Sequence, residues 1–129
     1  MVALTKGRQT PERGNALHEF TVAATFTVFE GALVMVNSSG LARPGAAATS
    51  MTAAGRAENG AAAGEKVTVK RGVFRWANSA AGDAITDADY GATVFIVDDQ
   101  TVAKTNGSST RSAAGICRGV DAQGVWVET

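Results

Sequence analysis

The sequence contains almost none of the side chains that most often carry catalysis or bind metals. Among 129 residues there is one cysteine, Cys117, and one histidine, His18. A single cysteine cannot form an internal disulfide, and a Cys/His metal site needs several such ligands. A Ser-His-Asp triad is not expected either, because no serine lies in a Gly-x-Ser-x-Gly motif. We therefore predict no catalytic residue, no metal ion and no cofactor.

Cys117 lies between Ile116 and Arg118 in an apolar stretch near the C-terminus. A reactive thiolate needs an exposed, electropositive environment, and this setting offers little exposure. We expect Cys117 to be a buried and inert thiol.

Long hydrophobic runs are also missing. The longest covers residues 32–36, whereas a membrane-spanning helix needs roughly 20 apolar residues. The first residues contain no apolar stretch of the kind found in signal peptides. We expect no membrane partner and synthesis in the cytoplasm.

Large apolar side chains are few. Alanine provides 25 of the 58 apolar residues, and Val, Ile, Leu and Phe together number only 26. That level is where compositions begin to resemble those of disordered chains. The zero net charge argues against disorder, because disordered chains usually combine low hydrophobicity with high net charge. We expect one domain with a thin core that gains stability from partners.

The apolar residues that are present favour strands. Fourteen valines and 14 threonines stand against four leucines, and β-branched side chains pack well on a pleated surface but form helices poorly. Fifteen glycines predict many turns and short strands. The predicted fold is all-β, a small β-sandwich or β-barrel of short antiparallel strands.

Two parts of the chain differ in composition. Residues 1–16 contain Lys6, Arg8, Glu12 and Arg13 but almost no large apolar residue, so they cannot bury themselves on their own domain. We predict an extended N-terminal arm over residues 1–16 and a single β-rich domain over residues 17–129. A frayed terminus is one interpretation of the arm, and an arm held by a neighbouring chain is the other.

Within the domain, side-chain alternation predicts the strands. Residues 20–28 alternate apolar and polar side chains, the period of a half-buried strand. In residues 67–76 the apolar positions change parity across Gly72, and we predict a one-residue bulge there. Asn106 and Gly107 predict a hairpin turn. Further strands are predicted at residues 33–36, 50–57, 93–97, 101–105, 114–120 and 125–128. The last two are predicted to form a C-terminal hairpin with its turn at residues 121–124, and residues 60–64 are predicted to form a loop.

Charged residues form local groups. Residues 83–99 contain five aspartates and no basic residue, but the glycine and distal glutamate of a calcium loop are missing. We expect these aspartates to cap and turn the chain, with Thr86 capping one helical turn; a metal-dependent binding domain or enzyme is the alternative. Residues 65–75 and 104–118 each carry a charge of +3. The pI near 6.6 argues against nucleic acid as a partner, and separated charge zones suit contacts between identical copies.

Several stretches together resemble a known family. They are residues 10–13, 71–78, 85–91, 97–103 and 114–127. In these stretches, and in their order along the chain, the sequence resembles the small capsid decoration, or cement, proteins of tailed bacteriophages, especially those of Mu-like phages and prophages.

The resemblance implies a function without catalysis. It implies a β-rich domain that binds the outer face of an icosahedral phage shell and bridges subunits of the major capsid protein. We further expect contacts between neighbouring copies of the chain, as dimers or trimers. Such a protein is part of the virion. A tail, baseplate or spike module is the structural alternative. We predict that the arm carries the contacts to capsid or neighbouring subunits, through Thr5, Lys6, Arg8, Thr10 and Arg13.

Overall fold

A computed structural model describes residues 2–129 and confirms the all-β class. Besides strands, this range contains two three-residue 3-10 turns, Ala81–Asp83 and Asp87–Asp89. No helix in the described range is long and apolar enough to cross a membrane. The strands are β1 (Leu17–Thr21), β2 (Thr27–Val28), β3 (Leu33–Val36), β4 (Ala42–Pro44), β5 (Thr52–Ala57), β6 (Ala61–Ala62), β7 (Lys66–Lys70), β8 (Val73–Asn78), β9 (Thr93–Ile96), β10 (Thr101–Ala103), β11 (Ala113–Asp121) and β12 (Gly124–Glu128).

The strands form two main bodies. The first five-stranded sheet, which we call the N-terminal sheet, has the order β1-β7-β5-β3-β4. The second, the C-terminal barrel, closes in the order β10-β8-β12-β11-β9. β2 and β6 pair separately in a two-stranded ladder. The barrel agrees with the prediction, but β8 and β10 are parallel where only antiparallel strands were expected. The long connection between them, which includes both 3-10 turns and β9, allows this crossover.

The N-terminal sheet curls until its two edges touch. Its edge strands β1 and β4 are joined by one isolated bridge between Val22 and Ala42, and the Ala23 amide donates to the Ala42 carbonyl at 2.8 Å. Inside the sheet, β5 and β7 pair only through Arg56 and Ala57 of β5. The sheet is therefore a half-closed barrel that remains loosely joined at the other end.

β3 is buried on both faces. Leu33 and Met35 pack into the core of the C-terminal barrel, whereas Val34 between them packs into the core of the N-terminal sheet. All three side chains are 0% exposed. A continuous apolar run without alternation is typical of such a strand.

The two cores differ in the size of their side chains. The barrel core contains Trp76, Ile85 and Ile96 together with Leu33 and Met35. The buried members of the sheet core are valines and alanines only: Val22, Val28, Ala32, Val34, Ala42, Ala57, Ala61, Val67 and Val69. The thin core expected from composition is thus confined to the N-terminal sheet.

The strand predicted over residues 20–28 is wrong in its extent. β1 ends at Thr21, and the chain turns before β2, with Thr25 at φ 72° and the Phe26 amide donating to the Ala23 carbonyl. The reason is tertiary. Val22 still hydrogen-bonds to Gly64 and Glu65 before β7, but it also bridges Ala42 on the opposite edge of the sheet, and the chain turns directly after this bridge. The predicted loop at residues 60–64 also contains the short strand β6.

The bulge predicted at Gly72 is wrong as well. β7 and β8 on either side of it belong to different bodies, so Val67 and Val69 face the sheet core while Trp76 faces the barrel core. The parity change marks a change of sheet, because each strand faces the core that it helps to build.

The hairpin predicted at Asn106 and Gly107 is replaced by a longer loop. β10 pairs with β8 and β9 and not with β11, which follows it in sequence. Since β9 lies between β10 and β11 in the closed barrel, the loop has to cross the end of β9. The C-terminal hairpin of β11 and β12 is confirmed. Thr86 is the N-cap residue of the second 3-10 turn, as predicted.

Truncation of Leu33 tests the two-sided burial of β3. We expect Leu33→Ala to lower the free energy of unfolding by about 2–5 kcal/mol, because it removes buried methyl groups and leaves a cavity. The matched control is Leu17→Ala, since Leu17 is 56% exposed and its truncation should cost less than about 0.5 kcal/mol. Urea unfolding of the three proteins measures both differences. Equal losses in the two variants would contradict the burial of β3.

Candidate interaction surfaces

The arm lies outside the folded domain. All residues from 2 to 17 are exposed, and none before Leu17 belongs to a strand. The predicted contact residues, Thr5, Lys6, Arg8, Thr10 and Arg13, are therefore all accessible. Val2 and Leu4 are also exposed, by 86% and 69%; these two apolar side chains were not among the predicted contacts.

Within residues 2–16, the described hydrogen bonds lie at the root of the arm, at Arg13, Asn15 and Ala16. The Arg71 amide donates to the Ala16 carbonyl at 2.7 Å. Arg13 Nη2 donates to His18 Nδ1 at 3.5 Å, and His18 Nε2 donates to the Asn15 carbonyl at 3.2 Å. His18 thus binds the arm root, and no carboxylate or hydroxyl is among its described hydrogen-bond partners. This geometry gives His18 a structural role.

An apolar cavity of about 300 Å³ opens beside the arm root. We call it the mouth of the N-terminal sheet. Phe20 and Ala54, which line it, also pack against the sheet core, and both are half-buried. The complete lining is His18, Phe20, Val36, Thr52, Ala53, Ala54 and Arg71.

A second cleft, of about 460 Å³, lies between the two bodies. Two of its three cations lie over aromatic rings: the Arg56 guanidinium is 4.3 Å from the Phe74 centroid, and that of Arg75 is 5.5 Å from the Trp126 centroid. The same two charges are compensated, because Arg56 pairs with Glu58 at 2.8 Å and Arg75 with Asp121 at 3.9 Å. The full lining is Gly31, Arg56, Lys70, Val73, Phe74, Arg75, Trp76 and Trp126.

Trp126 is held on the outer face of the barrel. Its indole Nε1 donates to Asp121 Oδ2 at 3.0 Å, while the Gln123 amide donates to Oδ1 at 2.8 Å. The Trp126 hydrogen bond, with help from Gln123 and Arg75, holds the pKa of Asp121 below its ordinary value. The sequence does indicate that this ring is exposed, because Trp126 alternates in β12 with Val125 and Val127, which are buried.

The five aspartates of residues 83–99 do not converge on one point. Asp89 accepts from the Thr86 amide at 2.8 Å, and Asp98 accepts from the Gln100 amide at 2.9 Å. The residues that the structure describes include no group of three or more His, Cys, Asp or Glu side chains placed to hold a metal ion. The geometry fits the capping and turning role.

The predicted separation of positive and negative zones fails in the C-terminal half. All three cations of residues 104–118 pair with carboxylates of the same chain. The pairs are Lys104 with Asp89 at 3.8 Å, Arg111 with Asp83 at 3.2 Å and Arg118 with Glu128 at 2.9 Å. The paired residues are far apart in sequence and meet only in the fold. The net charge of each segment, counted along the sequence, therefore could not reveal these ion pairs.

Asp83 ties the first 3-10 turn to the loop after β10. The Thr105 hydroxyl donates to Asp83 Oδ1 at 2.5 Å, and Arg111 Nη1 donates to Oδ2 at 3.2 Å. The Thr105 hydrogen bond, followed by the hydrogen bond and charge of Arg111, holds the pKa of Asp83 below its ordinary value of 3.8. The carboxylate therefore stabilises the loop more when it is ionised than when it is protonated.

The pH dependence of stability tests the Asp83 contact. Because folding lowers its pKa, the stabilising contribution is present above about pH 3.8 and is lost as the pH falls through the folded-state pKa. Asp83→Asn should lower the melting temperature at neutral pH, and the difference from wild type should shrink in acid. Thermal unfolding followed by circular dichroism measures this, with Asp87→Asn on the neighbouring turn as control. A difference that stays constant with pH would contradict the role of Asp83.

Calcium binding tests the acidic stretch directly. With its carboxylates spread over separate turns, we expect neither heat in calorimetric titration with calcium nor a rise in melting temperature. A saturable heat that disappears in Asp87→Asn or Asp98→Asn would show that these residues form a cation site.

The chain was compared with protein-family models, with curated proteins and with solved structures. None of them matches. Any proposal about function therefore depends on the residues and surfaces of the chain itself.

Proposed function

We propose that this protein is a non-enzymatic capsid decoration protein, which binds the outer face of an icosahedral phage head and bridges subunits of the major capsid protein. The observation that carries the proposal is the exposed N-terminal arm. Residues 2–16 are all exposed, and of these only Arg13, Asn15 and Ala16 take part in described hydrogen bonds to the domain, so the other polar groups are accessible to another surface. The resemblance of five stretches to cement proteins suggests that this other surface is the outer face of a phage shell.

The chemistry of the arm suits a protein surface. Lys6, Arg8 and Arg13 provide cations, Thr5 and Thr10 provide hydroxyl groups, and all five side chains are accessible. Single exposed ion pairs contribute little, typically less than about 1 kcal/mol. An assembly repeats such contacts on many copies and links them through one domain, so avidity replaces strong individual contacts.

The proposal places the protein on the virion, after synthesis in the cytoplasm of the host bacterium. Its partners there are the major capsid protein and neighbouring copies of itself, arranged as dimers or trimers. Assembly would also support the fold, because binding of the native state by any partner stabilises it by mass action.

Binding to shells tests the proposed function. Purified protein should co-sediment with expanded empty capsids of the phage or prophage that encodes it, and electron microscopy should show it on the outer surface. Deletion of residues 2–13 should weaken binding at least about tenfold, the equivalent of 1.4 kcal/mol, and leave the melting temperature of the domain nearly unchanged. Absence of the full-length protein from the shell would refute the proposal.

Charge-matched variants separate the arm from general electrostatics. Lys6→Gln/Arg8→Gln removes two cations from the arm, and Lys66→Gln/Lys70→Gln removes two exposed cations from β7. We expect only the arm variant to weaken capsid binding and to reduce its dependence on salt concentration. Equal weakening by both pairs would mean that the net charge, and not the arm, determines binding.

A further inference from the structure

The mouth is the unfinished end of the core of the N-terminal sheet. Val36 is the last residue of β3, Thr52 is the first residue of β5, and Arg71 follows β7 directly. All three line the mouth, together with His18 near the start of β1. The ends of four strands therefore surround one opening.

The path of the chain explains why this end stays open. β7 pairs with β5 at only two positions before the chain leaves for the barrel at Gly72. The only bridge between the sheet edges involves Val22, which lies beyond the far end of β1. The apolar side chains Phe20 and Val36 and the alanines of β5 consequently border solvent.

The arm leaves the domain at the same opening. Arg71, which lines the mouth, donates its amide hydrogen to the Ala16 carbonyl. From Ala16 the exposed arm runs to Leu4 and Val2, whose spacing of two places both side chains on one side of an extended segment. Leu4 lies twelve positions before Ala16, and an extended chain covers up to about 40 Å over that distance. A domain of this length has a radius of gyration of roughly 14 Å, so the arm can reach an adjacent copy.

The charges also favour contact between the arm of one copy and the domain of another. The arm has three cations and one carboxylate, a formal charge of +2, which leaves nine cations and eleven carboxylates, or −2, on residues 17–129. Two domains therefore repel each other weakly, whereas an arm is attracted to a neighbouring domain. Residues 2–5 carry no charged side chain and suit the apolar cavity.

We propose that the mouth of one copy receives Val2 and Leu4 from the arm of a second copy. The inserted side chains complete the valine and alanine core of the N-terminal sheet, and the basic middle of the arm lies along the recipient domain. The proposal rests on the role of the arm as a link between subunits that the proposed function assigns to it. It requires no capsid and can be tested with the purified protein.

Disulfide trapping tests the contact between copies. In a Cys117→Ala background, protein with Leu4→Cys is mixed with C-terminally tagged protein with Thr52→Cys, so that a mixed disulfide can form only between two molecules. Thr52 is exposed and lines the mouth. Under mild oxidation the mixed disulfide, identified by mass spectrometry, should form at least about tenfold faster than in the matched mixture with Ala88→Cys, an exposed position on the second 3-10 turn. Equal rates would overturn the proposal.

The double variant Leu4→Cys/Thr52→Cys distinguishes exchange from self-docking. Exchange predicts covalent dimers or larger species, whereas a monomer with an internal disulfide would show that the arm occupies its own mouth and would overturn the proposal.

Association of the chain without introduced cysteines provides an independent test. Sedimentation equilibrium should show dimers or trimers. Leu4→Ser should raise the dissociation constant roughly ten- to a hundredfold, because the variant no longer buries a leucine side chain on association. Phe29→Ser is the matched control, because Phe29 is similarly exposed, by 67%, and does not line the mouth. A monomer at all concentrations, or equal effects of both variants, would overturn the exchange. If copies associate through Leu4 but do not bind shells, the capsid proposal fails and this one stands.

Discussion

The burial of β3 on both faces is the constraint on which the rest of the structure depends. Leu33 and Met35 belong to the barrel core, and Val34 belongs to the sheet core. The backbone of Leu33 joins the two bodies as well, because its amide donates to the Asp99 carbonyl and its carbonyl accepts from the Gly45 amide, both at 2.8 Å. One four-residue strand thus supplies side chains to two cores, which allows a chain with few large apolar residues to build two sheets.

The two bodies differ in the size of their core side chains and in how completely their edges are joined. Ile85, Ile96 and Trp76 give the closed barrel large buried side chains, and closure removes its free edges. The N-terminal sheet has only small side chains in its buried core, joins its edges at one bridge and carries both the arm and the mouth. Surfaces that rearrange or bind are commonly drawn from the less stable part of a structure, and here that part is fixed to a stable barrel.

The sequence was sufficient for the fold class and for elements whose pattern is local. The run at residues 33–36 and the C-terminal hairpin follow from side-chain pattern and turn chemistry alone. The parity change at Gly72 was visible, but its cause was not, because a bulge and a change of sheet produce the same alternation. The contact of Arg111 with Asp83 depends on a barrel closed between distant strands. For the same reason the accessible arm residues could be named from composition, whereas the mouth could not, since four strand ends form it.

The small number of large apolar residues affects the N-terminal sheet most, because its buried core contains only valine and alanine. A sheet core of valine and alanine buries little area per residue, so each additional aliphatic side chain adds a larger share of its stability. A leucine supplied by a partner stabilises the native state in proportion to the logarithm of partner concentration. In the proposed assembly, that concentration would be low for free copies and very high for copies held side by side on a shell. The same open core that weakens the free protein would then favour the assembled one.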